Sequence, residues 1–180
     1  MIFATLPEAS HQLVSLRPIE GSDLQDWYDY LSLPVVHEHT SWKLQSPGDL
    51  AGHVWGPDSR APAGSLRLAI ALRTTGQLVG TAGFQTVLPQ NRSAELAYDL
   101  SPRWWGRGIA TSIATLLVEW GHAQAGLIRV QAVLLDSNER SAKVLHRCGF
   151  QREGLLRGYR MVRGHAADFW MYAHLPESYP

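Results

Sequence analysis

The sequence predicts an α+β fold, a mostly antiparallel sheet with a strand–helix–strand crossover in its middle. Three observations predict it. Alternating apolar runs at 66–73, 78–87 and 93–100, separated by turn residues, read as an antiparallel meander. Ile109, Ile113, Leu117 and Trp120 then recur at helical spacing, with Ala110, Ala114 and Val118 beside them. The run LIRVQAVLL, 127–135, returns at once to a strand.

The elements follow in order. LVSLRPIE, 13–20, alternates as a first strand. Ser22 and Gln25 have the form of a capping box opening a helix over DLQDWYDYL, which carries Trp27, Tyr28 and Tyr30. A second short helix is expected from Ser46 towards Trp55, with Pro47 in its first turn and Asp49 three residues after the cap. GPDSRAPAG, 56–64, is a loop by its Gly, Pro and Ser content. TTGQ joins 66–73 to 78–87 as a hairpin, and the crossover helix runs from Gly108 to about Gln124 with Gly126 as a stop. NERSAKVLHRC, 138–148, is a short helix ended by Gly149, and strands at 150–161 and 166–175 close the sheet.

A chain of 180 residues is expected to form one domain, 1–180, with a continuous core. Lys and Arg number 16, as do Asp and Glu, so no excess positive charge is available to hold a nucleic acid or an anionic membrane surface. Neither is expected as a partner. No run approaches the roughly 18 apolar residues of a membrane span, and MIFATLPEASHQ lacks the form of a secretory leader. The single Cys148 rules out an intramolecular disulfide framework and reads as an inert packing residue in a reducing, cytoplasmic setting. His37, Glu38 and His39 are read on a strand, where histidines at i and i+2 lack further ligands, so no metal is expected. Their plain reading is structural, and lining a pocket is the functional alternative. Trp27, Tyr28, Tyr30, Trp42 and Trp55 read as packing for the two small helices, with contact to a substrate as the alternative for Trp42.

The stretch RWWGRGIATS, 103–112, links a strand ending at Leu100 to the crossover helix. The first N–H groups of that helix lack intrahelical partners, and with the helix dipole they form an anion site. Gly106 and Gly108 allow backbone to approach a phosphate, and Arg103 and Arg107 add positive charge. The plain alternative is a tight turn with solvated arginines. A P-loop requires lysine where Ile109 stands, and the dinucleotide fingerprint fails at Thr111.

LAYDLSPRWWGRGIATSIA resembles the coenzyme-binding motif of the GNAT acetyltransferase superfamily, R/Q-x-x-G-x-G/A, through Arg103, Gly106, Gly108 and Ala110. NERSAKVLHRCGFQREGLLR is similar to the N-x-x-S…GF…EG segment of its RimJ/RimL-like branch, and the likeness extends over roughly residues 13 to 175. The resemblance implies a GNAT-like mixed sheet flanked by helices with a β-α-β coenzyme core, and acetyl-CoA as co-substrate. It places the coenzyme diphosphate on backbone from Arg103 through Trp105, Gly106, Arg107, Gly108 and Ile109 to Ala110. The pantetheine arm would run between the strand ending at Leu100 and strand 127–135, bonding backbone near Tyr98 and Leu100. Asn138 and Ser141 would lie beside the thioester.

The implied reaction is attack by a primary amine, on a protein N-terminus, an amino acid or a small molecule, on that thioester. Backbone N–H near Tyr98 to Leu100 is the expected oxyanion donor. Glu95 matches the branch's E-x-x-Y pattern with Tyr98 and is the expected base, provided burial or a relay water overcomes its low basicity. Asp99 is expected as a solvated strand end. Ser141, one turn after Asn138, would bond the coenzyme sulfur or pass it a proton, and Asn138 also fits the helix N-cap. Leu145 stands where many relatives carry a tyrosine acid. A coenzyme-binding module without catalysis, acting as sensor or scaffold, is the alternative class, and the presence of Glu95, Asn138 and Ser141 argues against it. The motifs specify neither the acceptor nor the oligomeric state.

Overall fold

A computed structural model describes residues 6–41, 43–54, 65–177 and 179. Trp42, Trp55 and the expected loop at 56–64 lie outside the described residues. The strands are β1 (Val14–Pro18), β2 (Leu66–Leu72), β3 (Leu78–Leu88), β4 (Ser93–Leu100), β5 (Arg129–Leu135), β6 (Gln151–Val162) and β7 (His165–His174). The helices are α1 (Leu24–Leu31), α2 (Pro34–His37), α3 (Ile109–Ala123) and α4 (Glu139–Arg147). The sheet runs β1-β2-β3-β4-β5-β7-β6, and each neighbouring pair is antiparallel except β4 with β5. The α3 crossover makes that pair parallel, as the strand–helix–strand reading requires.

Both faces of the sheet are covered. Leu66, Leu68, Ile70 and Leu72 of β2 pack in one core with Ile109, Ile113 and Leu117 of α3 and Leu145 of α4. Burial of each such side chain contributes about 1.5–3 kcal/mol, which is what holds the crossover helix to the sheet. The other face carries Trp27, Tyr30 and Leu31 of α1, Val36 of α2 and Leu50, packed with Ala69 and Leu78. Hence every residue of β2 is buried, Arg67 included.

Several local readings are corrected. The capping box upstream of α1 is formed by Glu20 and Asp23 rather than Ser22 and Gln25. Asp23 is held there by Arg17, whose guanidinium donates to both carboxylate oxygens at 2.7 Å, while the Glu20 N–H donates to Oδ2 at 2.8 Å. Ser46 and Asp49 do form a capping box, but it opens a 3-10 segment, Pro47–His53, not an α-helix. The His37–Glu38–His39 triplet ends α2 and lies on no strand. Pro34 supplies the favoured first helical position, and Arg163, in the β6–β7 turn, caps the other end through the carbonyls of His37, Glu38 and Thr40. β5 starts at Arg129 because Leu127 donates its N–H to Gly121 (3.0 Å), wrapping the end of α3 before the strand begins.

One feature of the sheet positions the site. β4 pairs with β5 only through Ser93–Arg129, Ala94–Val130 and Glu95–Gln131. Beyond that the strands diverge, and the β5-facing edge of β4 from Leu96 to Leu100 has no ladder partner.

Candidate active site

The divergence opens a cavity of about 520 Å³. Leu96–Leu100 form one wall, Ala132–Leu135 the other, and the turn from Trp104 into α3 lies across its mouth. Gly106 (φ 74°) and Gly108 (φ 77°) are in the left-handed region, where a side chain is disfavoured. A Cβ at either would meet no protein atom within 4 Å, so the backbone here faces open space. Gly108 is the N-cap of α3, and Ser112 is the first residue to reach back, to the Gly108 carbonyl at 2.9 Å. The N–H groups of Ile109, Ala110 and Thr111 are therefore free for an anion, at the positive end of a 15-residue helix.

Charge around the mouth is positive. Arg107 of the turn and Arg140, Lys143 and Arg147 of α4 all line the cavity. Arg107 lies 4.9 Å over the Trp104 ring and Arg140 4.5 Å over Trp105. The Trp105 indole N–H donates to the Leu100 carbonyl at 2.7 Å, tying the turn to the end of β4. Sequence reasoning missed the α4 cations. Their signal was Arg140, Val144 and Arg147 at i, i+4 and i+7, with Ser141 alongside, which marks one helical face.

The structure brings most of the expected residues together. Tyr98, Leu100, Trp105, Gly106, Arg107, Gly108, Ile109, Ala110, Asn138 and Ser141 all line this cavity. Asn138 is the N-cap of α4, its Oδ1 accepting from the Ser141 N–H at 3.1 Å. The Tyr98 hydroxyl donates to the Ser141 carbonyl at 3.2 Å, a strut across the base of the splay, and burial pushes that phenol well above its ordinary range. Leu145 is fully buried in the core and faces away from the cavity.

Two expected residues stand elsewhere. Arg103 is exposed in the 3-10 turn Pro102–Trp104 and lines a separate hollow with Asp26 and Asp29, so its charge is not at the glycine turn. Glu95 is buried, but one carboxylate oxygen accepts from both Gln85 and Arg160, the latter at 3.0 Å. Gln85 and Arg160 line the cavity and Glu95 does not. Glu95 is thus turned to Gln85 and Arg160 and stands behind the cavity wall rather than on it. Asp99 is not solvated: it accepts from Tyr30, from Arg67, and from the N–H (3.1 Å) and hydroxyl (2.8 Å) of Thr81. Burial first, and then the Asp99 charge, raise the Tyr30 phenol well above its ordinary value.

No group of three or more His, Cys, Asp or Glu side chains among the described residues is placed to hold a metal ion. No helix among them is long and apolar enough to cross a membrane.

Comparison with known proteins agrees with this geometry. The family described as "Acetyltransferase (GNAT) domain" matches residues 14–151. A Bacillus licheniformis protein named "Uncharacterized N-acetyltransferase p20" is 34% identical over 113 residues, which cover 63% of this chain and 64% of that protein. The match thus spans a little under two thirds of that relative's length. Mycobacterium smegmatis RimJ, solved in complex with CoA-disulfide, is 27% identical with a TM-score of 0.74, covering 93% of this chain and 84% of that one. An acetyltransferase of the GNAT family from Bacillus anthracis shares the fold at 20% identity and a TM-score of 0.79, covering 93% and 98%. A splayed parallel strand pair, a glycine turn over its mouth and a sequence match across most of the chain converge: the protein belongs to the GNAT acetyltransferase family.

Proposed function

We propose that this chain, as a single domain working in the cytoplasm, transfers an acetyl group from acetyl-CoA to a primary amine. The observation that carries the reading is the cavity between β4 and β5, closed at its mouth by unpartnered N–H groups and ringed by cations. A coenzyme with a diphosphate at one end and an amide-rich arm at the other fits both features. Backbone from Gly106 to Thr111 holds the diphosphate, with Arg107, Arg140, Lys143 and Arg147 supplying charge. The free edge of β4 bonds the arm as an added strand would.

Chemistry then follows from placement. A backbone N–H at Tyr98 to Leu100 stabilises the oxyanion. The Ser141 hydroxyl protonates the departing sulfur, with Asn138 fixing the first turn of α4 and Tyr98 bracing it. Glu95 serves by holding Arg160 and Gln85 on the acceptor wall. Presenting both reactants in line supplies much of the acceleration. The acceptor is a protein N-terminus, an amino acid or a small amine.

Thermal denaturation with acetyl-CoA, NAD and ATP in parallel tests the reading. A ligand at about 100 times its dissociation constant adds about 2.7 kcal/mol, which is about 5–10 °C for a chain of this size. A shift with acetyl-CoA alone, followed by thiol release on adding an amine, is expected. A shift with NAD or ATP and none with acetyl-CoA overturns it.

A further inference from the structure

We infer that Arg163 is a positioning residue for the acceptor: from the tip of the β6–β7 hairpin it latches the end of α2 beside the cavity, so that binding of the amine, and not of acetyl-CoA, depends on it. This rests on the transferase reading above.

The turn that carries Arg163 is built against its own preference. Val162 pairs with His165, which leaves Arg163 and Gly164 as a two-residue turn with φ of 52° and 85°. Two positive φ values mark the type I′ form, which favours Asn-Gly, so an arginine at its first position is more strained than asparagine would be. Among the described residues the other non-glycine at positive φ is Arg92 (φ 48°), which donates to the Gly126 carbonyl at 2.7 Å. In both places an arginine holds a left-handed position and its guanidinium reaches a carbonyl far along the chain. Arg163 reaches three: Nη1 donates to the carbonyls of His37 (3.0 Å) and Thr40 (3.4 Å), and Nη2 to that of Glu38 (3.0 Å). Separate carbonyls suit a planar fork of donors better than the single point of an ammonium.

The latched segment is on the acceptor side. Val36 anchors α2 in the core, but a helix of four residues does not sustain itself, and its last carbonyls lack helical partners. His39, Thr40 and Ser41, which follow it, line the cavity. So do Arg160 and Phe169, from the two strands that Arg163 joins. The latch thus ties one wall of the cavity to the hairpin that supplies another. α3 and α4, with the glycine turn and the cations, pack on one face of the sheet, and α2 packs on the other. A coenzyme whose diphosphate sits on the first face brings its thioester into the split, and an amine meets it from the second.

The experiment measures thiol release from acetyl-CoA with an alanyl peptide, a seryl peptide, free amino acids and spermidine, and titrates the amine that is acetylated. The chains compared are the parent, Arg163→Asn, Arg163→Lys and Arg92→Asn. Asparagine suits the turn, so Arg163→Asn removes the latch and keeps the hairpin. A wall that is in place about one-tenth of the time weakens the apparent affinity for the amine about tenfold. Arg163→Asn should therefore raise the amine KM about tenfold, with kcat at saturating amine, the acetyl-CoA KM and the acetyl-CoA thermal shift held at parent values. Arg163→Lys should show a smaller rise. Arg92→Asn, which relieves the same kind of turn away from the cavity lining, should keep the parent's amine KM. Amide exchange over residues 38–41 should quicken in Arg163→Asn and not in Arg92→Asn. An amine KM within about twofold of the parent in Arg163→Asn, an equal rise in the KM of both substrates, or the same rise in Arg92→Asn each overturns the assignment. So does an Arg163→Asn chain that fails to fold, because the arginine is then needed for the fold and not for the acceptor. A parent that binds acetyl-CoA but acetylates none of these amines overturns the transferase reading itself, and this inference with it.

Discussion

Asp99→Ala removes the centre of a buried polar cluster beside the coenzyme cleft, and its cost can be worked from the contacts. The carboxylate accepts from Arg67, Tyr30 and both polar groups of Thr81, and the side chains of Asp99 and Arg67 are each 8% exposed. Removing the carboxylate of such a pair leaves a buried guanidinium without its counter-charge, which costs about 3–5 kcal/mol. Each kcal/mol moves the melting point of a chain this long by about 2–4 °C, so the expected fall is about 6–20 °C. Replacing both partners with apolar side chains, Arg67→Met with Asp99→Leu, should recover most of it, because no buried charge is then left alone. Thermal denaturation of the two singles and the double gives the coupling directly. A single variant melting within about 2 °C of the parent would show a pair worth no more than one in water, and the argument from burial would be refuted.

Two further outcomes test the turn and the histidines. Gly108→Ala places a side chain at φ 77° and should cost about 1–2 kcal/mol as well as abolish the acetyl-CoA thermal shift, since its Cβ would occupy space at the glycine turn that no protein atom fills. Gly76→Ala, at φ 74° in the distant β2–β3 turn, should cost about the same and leave the shift intact. Equal coenzyme shifts in both variants would remove the glycine turn from the binding site. Burial, with His122 as neighbour, lowers the His174 pKa, and burial followed by Arg67 lowers that of His53. Both take up a proton at lower pH in the folded state than in the unfolded chain, which does so near the ordinary value of 6.5, so stability is lost as pH falls below about 6.5. Melting points from pH 5 to 8 should show that fall, and His174→Phe should make it shallower.

What the sequence made legible was what local pattern decides. The helical spacing of Ile109, Ile113, Leu117 and Trp120 drew the true buried face of α3, and each of these four is under 10% exposed. The two glycines of the turn were readable because backbone conformation is a local property, and both do sit at positive φ. The histidine triplet misled because two residues of apparent alternation carry less information than the proline three residues before it and the arginine more than a hundred residues after it. Arg163 reaches the end of α2 and the residues just after it from 123 to 126 positions along the chain, a contact that no local pattern carries.

The partners of the two β4 carboxylates come from equally far away. Arg67 is 32 residues from Asp99 and Arg160 is 65 from Glu95. Alternation correctly put Glu95, Ala97 and Asp99 on one face, but it could not say that a cation waited opposite each carboxylate. A base is defined by its partners rather than by its residue type. That is why motif matching singles out the glutamate, while the arginine that holds it, 65 residues further along the chain, is invisible to the motif.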